Sequence, residues 1–493
     1  MPTRTSMRAS ACAAVALLAV LMIGCSLQPE YVRPEAPVAV AYPTGPAYGV
    51  SGDTVDGAPP AGDVGWRDFL TDPRLQQFVE IALRNNRDLR MAMLNVEQVQ
   101  AQFRIQSAAL SPQVSAFADG ARSRTPAGLS ASGNATNPGS YSAGVSVGWE
   151  IDLFGRLRSL KAAAFEQYLA SIQGRKAAEI LLVSQVADQY LTILAYDELL
   201  EVTQQTLETA RASYDIVKLQ FDTGAGTELD LRLAETVVEQ TEANRAAQVR
   251  LRAQAENGLV LLLGQPEPAA MASAVRLGEQ TILSDIPVGL PSELLIRRPD
   301  VLQAEALLRS ANADIGAARA AFFPSIALTG STGTASAALS GLFKAGSSVW
   351  SWAPSLIAPI FDARANRANL DSARVREDIG IAQYEKTIQT AFREVADGLA
   401  ARGTFDDEVA SFERYTMAEH RRLELAQLLY KNGAASYLEV LTAQTGLYDA
   451  ELVLVSARLQ RLTNLIDLYR ALGGGWLERT GDAPRLGDVG LHP

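Results

Sequence analysis

The sequence predicts an α+β membrane protein with four β-strands per chain, unusually long helices and two internal structural repeats. Three features carry this: a long-period duplication, two proline-free stretches with helical periodicity, and two hairpins of alternating segments whose connecting loops are mostly Ser, Gly, Ala, Thr and Pro with almost no charge. Asn86-Arg87-Asp88-Leu89 opens a run closing at Ala108-Ala109-Leu110-Ser111-Pro112. Arg298-Pro299-Asp300-Val301 opens one closing at Ala320-Ala321-Phe322-Phe323-Pro324, at the same offset throughout. Phe154 then aligns with Phe361 and Gly224 with Gly433, the offset drifting by a few residues only. Solenoid repeats run at roughly 20–50 residues, so this longer period marks a duplicated subdomain. Duplicated halves build pseudo-symmetric, often ring-like, objects.

The N-terminus reads as an export signal. Arg4 and Arg8 precede the apolar run Ala11 to Ile23, which falls short of the about 20 apolar residues a spanning helix needs. The run ends at Leu21-Met22-Ile23-Gly24-Cys25, the pattern of a lipoprotein signal. Residues 1–24 would then be removed and the Cys25 thiol would carry a diacylglycerol. The alternative is an ordinary signal with an incidental cysteine. Ser26 rather than Asp follows, which by resemblance to bacterial lipoproteins favours the outer membrane. Cys12 leaves with the signal, so the mature chain has no disulfide and no Cys-based metal site. His420 and His492 are the only histidines and read as solvated surface.

Residues 25–65 are rich in Pro, Gly, Ala and Val without helical period and read as an acylated, extended tether. The first repeat is placed at 66–272, a connector at 273–292, the second repeat at 293–476 and a tail at 477–493.

No proline occurs from Gly139 to Gln265 or from Ile360 to Ala483, and proline breaks helix interiors. Val183, Val186, Tyr190, Ile193, Asp197 and Leu200 step by three and four, as do Leu452, Val455, Leu459, Leu462, Ile466 and Tyr469. That alternation is the seam of helices packed side by side. A helix from about Arg158 to Phe221 would be roughly 95 Å long. Each half turns back at a glycine-bearing tip, Asp222-Thr-Gly-Ala-Gly-Thr227 and Lys431-Asn-Gly-Ala-Ala-Ser436. Gly224 and Gly433 supply a left-handed stop there, and Thr227 and Ser436 are suited to cap the returning helix.

Between the helices, Val145, Val147, Trp149 and Ile151 alternate with Gly144, Ser146, Gly148 and Glu150. Hairpins are placed at about 113–151 and 325–360, with loops Arg122 to Ser140 and Ser331 to Ser348. The alternation fits lipid-facing barrel strands of about ten residues; a soluble sandwich hairpin is the alternative. An acyl anchor without a transmembrane helix in the mature chain favours the barrel. Four strands cannot close, and open edges do not survive in lipid. Three copies would give twelve strands.

The net charge is −11, and loss of the signal arginines makes the mature chain more acidic still. No basic stripe is left for nucleic acid. No nucleophile is paired with a usable histidine, and no phosphate loop is present: Gly224-Ala-Gly226 lacks a downstream Gly-Lys pair. No catalytic residue, cofactor or metal is expected. The rival to a pore is a coiled-coil structural lipoprotein of the envelope, which would have no use for lipid-facing strands.

Trp66, Phe69, Asp72-Pro73, Leu75, Ala82-Leu83, Asn86 and Asp88-Leu89 resemble the opening of TolC-like outer-membrane efflux proteins, in their lipoprotein branch. Leu290-Pro-Ser-Glu-Leu-Leu-Ile-Arg-Arg-Pro-Asp300 and Gly316-Ala-Ala-Arg-Ala-Ala-Phe-Phe-Pro-Ser-Ile326 are similar to that branch's most characteristic stretch, and Cys25-Ser-Leu-Gln-Pro29 to its mature N-terminus. The resemblance implies a homotrimer anchored in outer-membrane lipid: a twelve-stranded barrel on a coiled-coil periplasmic tunnel. Such proteins are passive exit ducts of tripartite pumps for drugs, small toxic compounds or ions. A periplasmic adaptor joins them to an inner-membrane transporter, commonly a proton-driven one. The resemblance puts the adaptor at the tips around Gly224, Gly226, Thr227, Gly433 and Ser436. It puts the periplasmic gate at Leu438, Thr442 and Thr445. Relatives often read Asp-Ala-Gln-Arg where this chain has Thr442-Ala443-Gln444-Thr445, so their acidic ring and its arginine partner are not carried over.

Overall fold

The computed structural model describes residues 26–48, 60–131, 133–283 and 291–483; the signal region and Cys25 lie outside the described residues. After a one-turn helix at Trp66–Phe69 come α1 (Pro73–Asn85), α2 (Arg87–Ala108), β1 (Gln113–Arg122), β2 (Gly139–Ile151), α3 (Arg156–Asp222) and α4 (Glu228–Leu263). A short helix at Pro291–Arg297 opens the second series: α5 (Pro299–Ala320), β3 (Ser325–Ser336), β4 (Ser348–Ile357), α6 (Ala365–Lys431) and α7 (Tyr437–Ala471). The order helix, hairpin, long helix, shorter helix is thus written twice. α3 and α6 are 67 residues each, which their lack of proline permits. β3 continues through Ser331–Ser336, where the sequence suggests loop. The Ser, Gly and Ala residues here have weak strand preference, but Thr332 and Thr334 favour strands, and pairing with β2 on one side and β4 on the other holds the segment.

The chain forms two compact units. One comprises the chain up to Glu35 with Val96–Ser171 and Ala304–Tyr384; the other comprises Ala36–Asn95, Ile172–Gln303 and the chain from Glu385. The first unit holds an antiparallel sheet ordered β1-β2-β3-β4. It also fixes part of the segment the sequence reads as an extended tether. Arg33 donates through Nε and Nη2 to the two carboxylate oxygens of Glu305, each at 2.8 Å, and the Glu305 side chain is only 3% exposed. Arg309 shares that carboxylate at 2.8 Å and lies over the Tyr31 ring. Asn312 and Arg319 donate to the carbonyls of Pro29 and Leu27. A Cβ on Gly316 would stand 2.8 Å from Gln28 Cα, so glycine here makes room for the strap.

In the second unit the duplication is visible atom by atom. Asn86 Nδ2 donates to Leu262 O at 2.9 Å while its Oδ1 accepts from Leu89 N, capping α2. At the matching place Arg298 donates to Ala471 O at 2.9 Å and pairs with Asp300 and Glu394. The returning helices end alike, at Gly264 (φ 68) and Gly473 (φ 85). Asp72 caps α1 through Arg74 N, with Pro73 at its first position, and also accepts from Tyr190 Oη and Gln280 Nε2. Phe69 stacks on Tyr469 at 4.0 Å, and the Tyr469 hydroxyl donates to Val64 O.

Candidate functional site

At the first tip, Gly224 takes φ +75 and its N–H donates to Phe221 O, while Ala225 and Gly226 both donate to Gln220 O. The second tip repeats this: Gly433 takes φ +70 and donates to Tyr430 O, and Ala434 donates to Leu429 O. A Cβ on Gly224 or Gly433 would meet nothing within 4 Å. These glycines are therefore required by backbone conformation and not by space. Gly226 is the converse: its φ is ordinary, but a Cβ would lie 3.1 Å from both Gln220 Cβ and Phe221 N.

Thr227 Oγ1 accepts from Asp230 N and donates to Asp230 Oδ2, closing the start of α4. Ser436 occupies the corresponding place before α7, but its hydroxyl makes no capping bond. Glu439 N, the donor it would satisfy, is taken by the Ser436 carbonyl at 3.2 Å. The two tips are tied by Tyr430 Oη, which donates to Gln220 Oε1 at 2.8 Å, and by a cluster of Val217, Ala234, Tyr437, Val440, Leu441 and Ala443.

That cluster sets the rotation of α7. Val440, Leu441, Ala443 and Gln444 face inward, while Leu438 (53% exposed), Thr442 and Thr445 share the outward face. Both hydroxyls are tied back to their own helix, Thr442 to Leu438 O at 2.7 Å and Thr445 to Leu441 O at 3.0 Å. Their protons are thus already used, leaving acceptor oxygens. The same stripe continues to exposed Asp449, one turn on, which has no ion-pair partner among the described residues. Sequence reasoning missed Asp449. Its spacing from Leu438, Thr442 and Thr445 by steps of four, three and four was the available signal.

A second acid stands on α3. Asp188 is pushed up to about 7 by burial and by the negative charge of Asp467 on α7, partly offset by Arg470. Its Oδ1 is buried without a hydrogen-bond partner. A carboxyl whose folded pKa exceeds its unfolded value binds more protons when folded. Stability therefore falls as pH rises from about 4 to about 7. Asp188→Asn should raise the unfolding temperature at pH 8 and flatten its dependence over that range. An unchanged pH profile in a thermal scan would remove Asp188 from the account.

The sheet has two unlike faces. Pairing places Trp350 and Trp352 opposite Thr332 and Gly330, Leu328 opposite Trp149, and Val147 opposite Val114. This face also carries Val145, Ile151, Ile326 and Leu356. The other face carries Ser115, Ser142, Ser146, Glu150, Thr329, Ser331, Ser351 and Ser355, with the Ser331 and Ser351 hydroxyls 2.7 Å apart. β1 and β4 each have one neighbour within the sheet, so both outer edges are open. Among the described residues no helix is long and apolar enough to cross a membrane.

The family described as outer membrane efflux protein matches this chain over residues 78–265 and 290–474, one segment in each repeat. The chain belongs to the outer membrane efflux protein family. It is 45% identical over 477 residues to the outer membrane protein OprJ of Pseudomonas aeruginosa, covering 96% of this chain and 98% of that one. It is 44% identical over 476 residues to the toluene efflux pump outer membrane protein TtgC of Pseudomonas putida, with the same coverage. Its fold is similar to the open-state MtrE outer membrane channel of Neisseria gonorrhoeae, with a TM-score of 0.83 and 39% identity over 93% of this chain and 100% of that one. As an outer membrane efflux protein the chain is an exit channel and not an enzyme. It sits in the outer membrane, extends into the periplasm and works as one component of an efflux pump.

Proposed function

We propose that three copies of this efflux protein close a twelve-stranded barrel whose apolar face meets lipid and whose serine-rich face lines the pore. The observation that carries this is the open four-stranded sheet with one apolar and one polar face. Exposed Met91, Met93, Leu94 and Ile105 on α2, a helix with Leu89 as its buried residue, support further burial between chains. Acylated Cys25 adds a second attachment to the periplasmic leaflet. Native mass spectrometry in detergent should return three chains, each with a lipid-modified Cys25. A stable folded monomer overturns the barrel, and an unmodified Cys25 overturns the acyl anchor alone.

The tips around Gly224 and Gly433 dock a periplasmic adaptor, which joins the duct to a proton-driven inner-membrane transporter. A passive duct leaves the choice of cargo to that transporter, so toluene-like solvents and drugs are both compatible with the pore. Leu438 forms the narrow apolar ring of the gate, with Thr442 and Thr445 above it. No ionic latch is built from these three residues, so packing dominates closure. Leu438→Ser should raise single-channel conductance several-fold in planar bilayers. The acidic balance of the chain should enrich cations in the lumen, with a preference that fades as salt screens the field. Unchanged conductance would move the gate elsewhere.

A further inference from the structure

We propose that the outer rim of the barrel is a binding surface for phosphorylated glycolipid of the outer leaflet, formed by Arg122, Arg124 and Lys344. The inference rests on the barrel reading above. The two ends of the sheet differ in charge. At the end joined to the helices, cations are matched by acids: Arg156 pairs with Glu150 at 2.8 Å and Arg158 with Asp152 at 3.3 Å. At the far end, the loops 123–138 and 337–347 contain no acidic residue in a chain whose net charge is −11. Their cations, with Arg122 at the close of β1, are exposed, and none forms an ion pair among the described residues.

Register places two of these cations on the lipid side. Arg122 opposes Gly139, two residues beyond the Gly120–Tyr141 pair, on the face that carries Val114 and Val147. The Thr125–Thr136 bridge continues that register, so Arg124 stands on the same face. The Tyr141 ring covers Gly120, where a Cβ would come within 3.1 Å. An aromatic ring followed outward by two arginines is the order of an interface: ring at the headgroup boundary, guanidinium at the phosphates. In the second loop Lys344 follows exposed Phe343, and Leu339 is exposed nearby. Apolar groups that can enter the lipid edge beside cations without acids fit an anionic lipid surface. Arginine suits phosphate because its planar fork can engage two oxygens at once.

The test is equilibrium binding of bis-phosphorylated lipid A to the full-length channel in neutral detergent. Each basic residue near an anionic surface is worth about five-fold in affinity. The triple variant Arg122→Gln, Arg124→Gln, Lys344→Gln should therefore bind roughly 100-fold more weakly. Dephosphorylated lipid A should show the same loss on the unaltered protein. Equal binding by the triple variant, undiminished binding of the dephosphorylated lipid, or displacement by inorganic phosphate at the same concentration would overturn the proposal. Both proteins should insert into phosphatidylcholine vesicles. Failure of the unaltered protein to do so overturns the barrel reading and this inference with it, whereas insertion with unchanged lipid A binding overturns this inference alone.

Discussion

Gly433→Val should abolish export while leaving the amount of assembled channel near normal, and Gly224→Val should do the same. Both glycines hold left-handed backbone, at φ +70 and +75. A β-branched residue there costs about 1–3 kcal/mol of strain. The turn escapes that strain by rearranging, because a Cβ at either site meets nothing within 4 Å to hold it in place. The damage is therefore local. The Gln220–Tyr430 bond and the Val217–Tyr437 cluster lie behind the turn and keep the hairpins together. What changes is the shape presented at the tip. Drug susceptibility of cells relying on this channel, read alongside its abundance in outer-membrane fractions, separates the two effects. Normal export by both variants would mean that the tips are not where the adaptor engages. Gly433→Ala, with a strain of about 1 kcal/mol, should fall between.

Arg298→Ala should destabilise the folded chain by about 1.5–3 kcal/mol, the range for charge-assisted hydrogen bonds, since the carboxylates it leaves behind are partly exposed. The Arg298 side chain is 8% exposed, and its loss leaves Glu394 and the Ala471 carbonyl without their donor, while Asp300 keeps only the bond from Val301 N. Asn86→Ala, at the equivalent place in the first repeat, should cost about 1–2 kcal/mol, the value of a lost cap. Arg298→Lys should not restore stability, because a single ammonium cannot span two carboxylates and a carbonyl as the guanidinium does. Thermal unfolding in detergent measures all three. Equal losses for Arg298→Ala and Asn86→Ala would show that the ion pairs contribute nothing beyond the shared carbonyl bond.

The pairing of Asn86 with Arg298 shows where sequence reading stops. Alignment identifies them as equivalent positions, but one is a neutral cap and the other a cation between two acids. Only the structure shows both donating to the end of a returning helix. The strap is a second case. Ser26 to Arg33 has no periodicity and reads as part of an extended tether, yet a buried carboxylate 272 residues from Arg33, Glu305, holds it by charge. Ser436 is a third. It has the right residue type for a cap, and the backbone already satisfies the donor it would have served.

The sequence by itself determined the features that are local or periodic. The duplication, the long proline-free helices, the glycine stops and the two-faced strands follow from conformational limits on each residue and its near neighbours. Tertiary structure alone decided which distant groups meet. It docked the strap on Glu305, brought Asp188 against Asp467, rotated α7 so that the Leu438–Asp449 stripe faces outward, and extended β3 through a segment rich in Ser, Gly and Ala. Such outcomes depend on partners far along the chain, whose burial and charge have no signature in the residues that receive them.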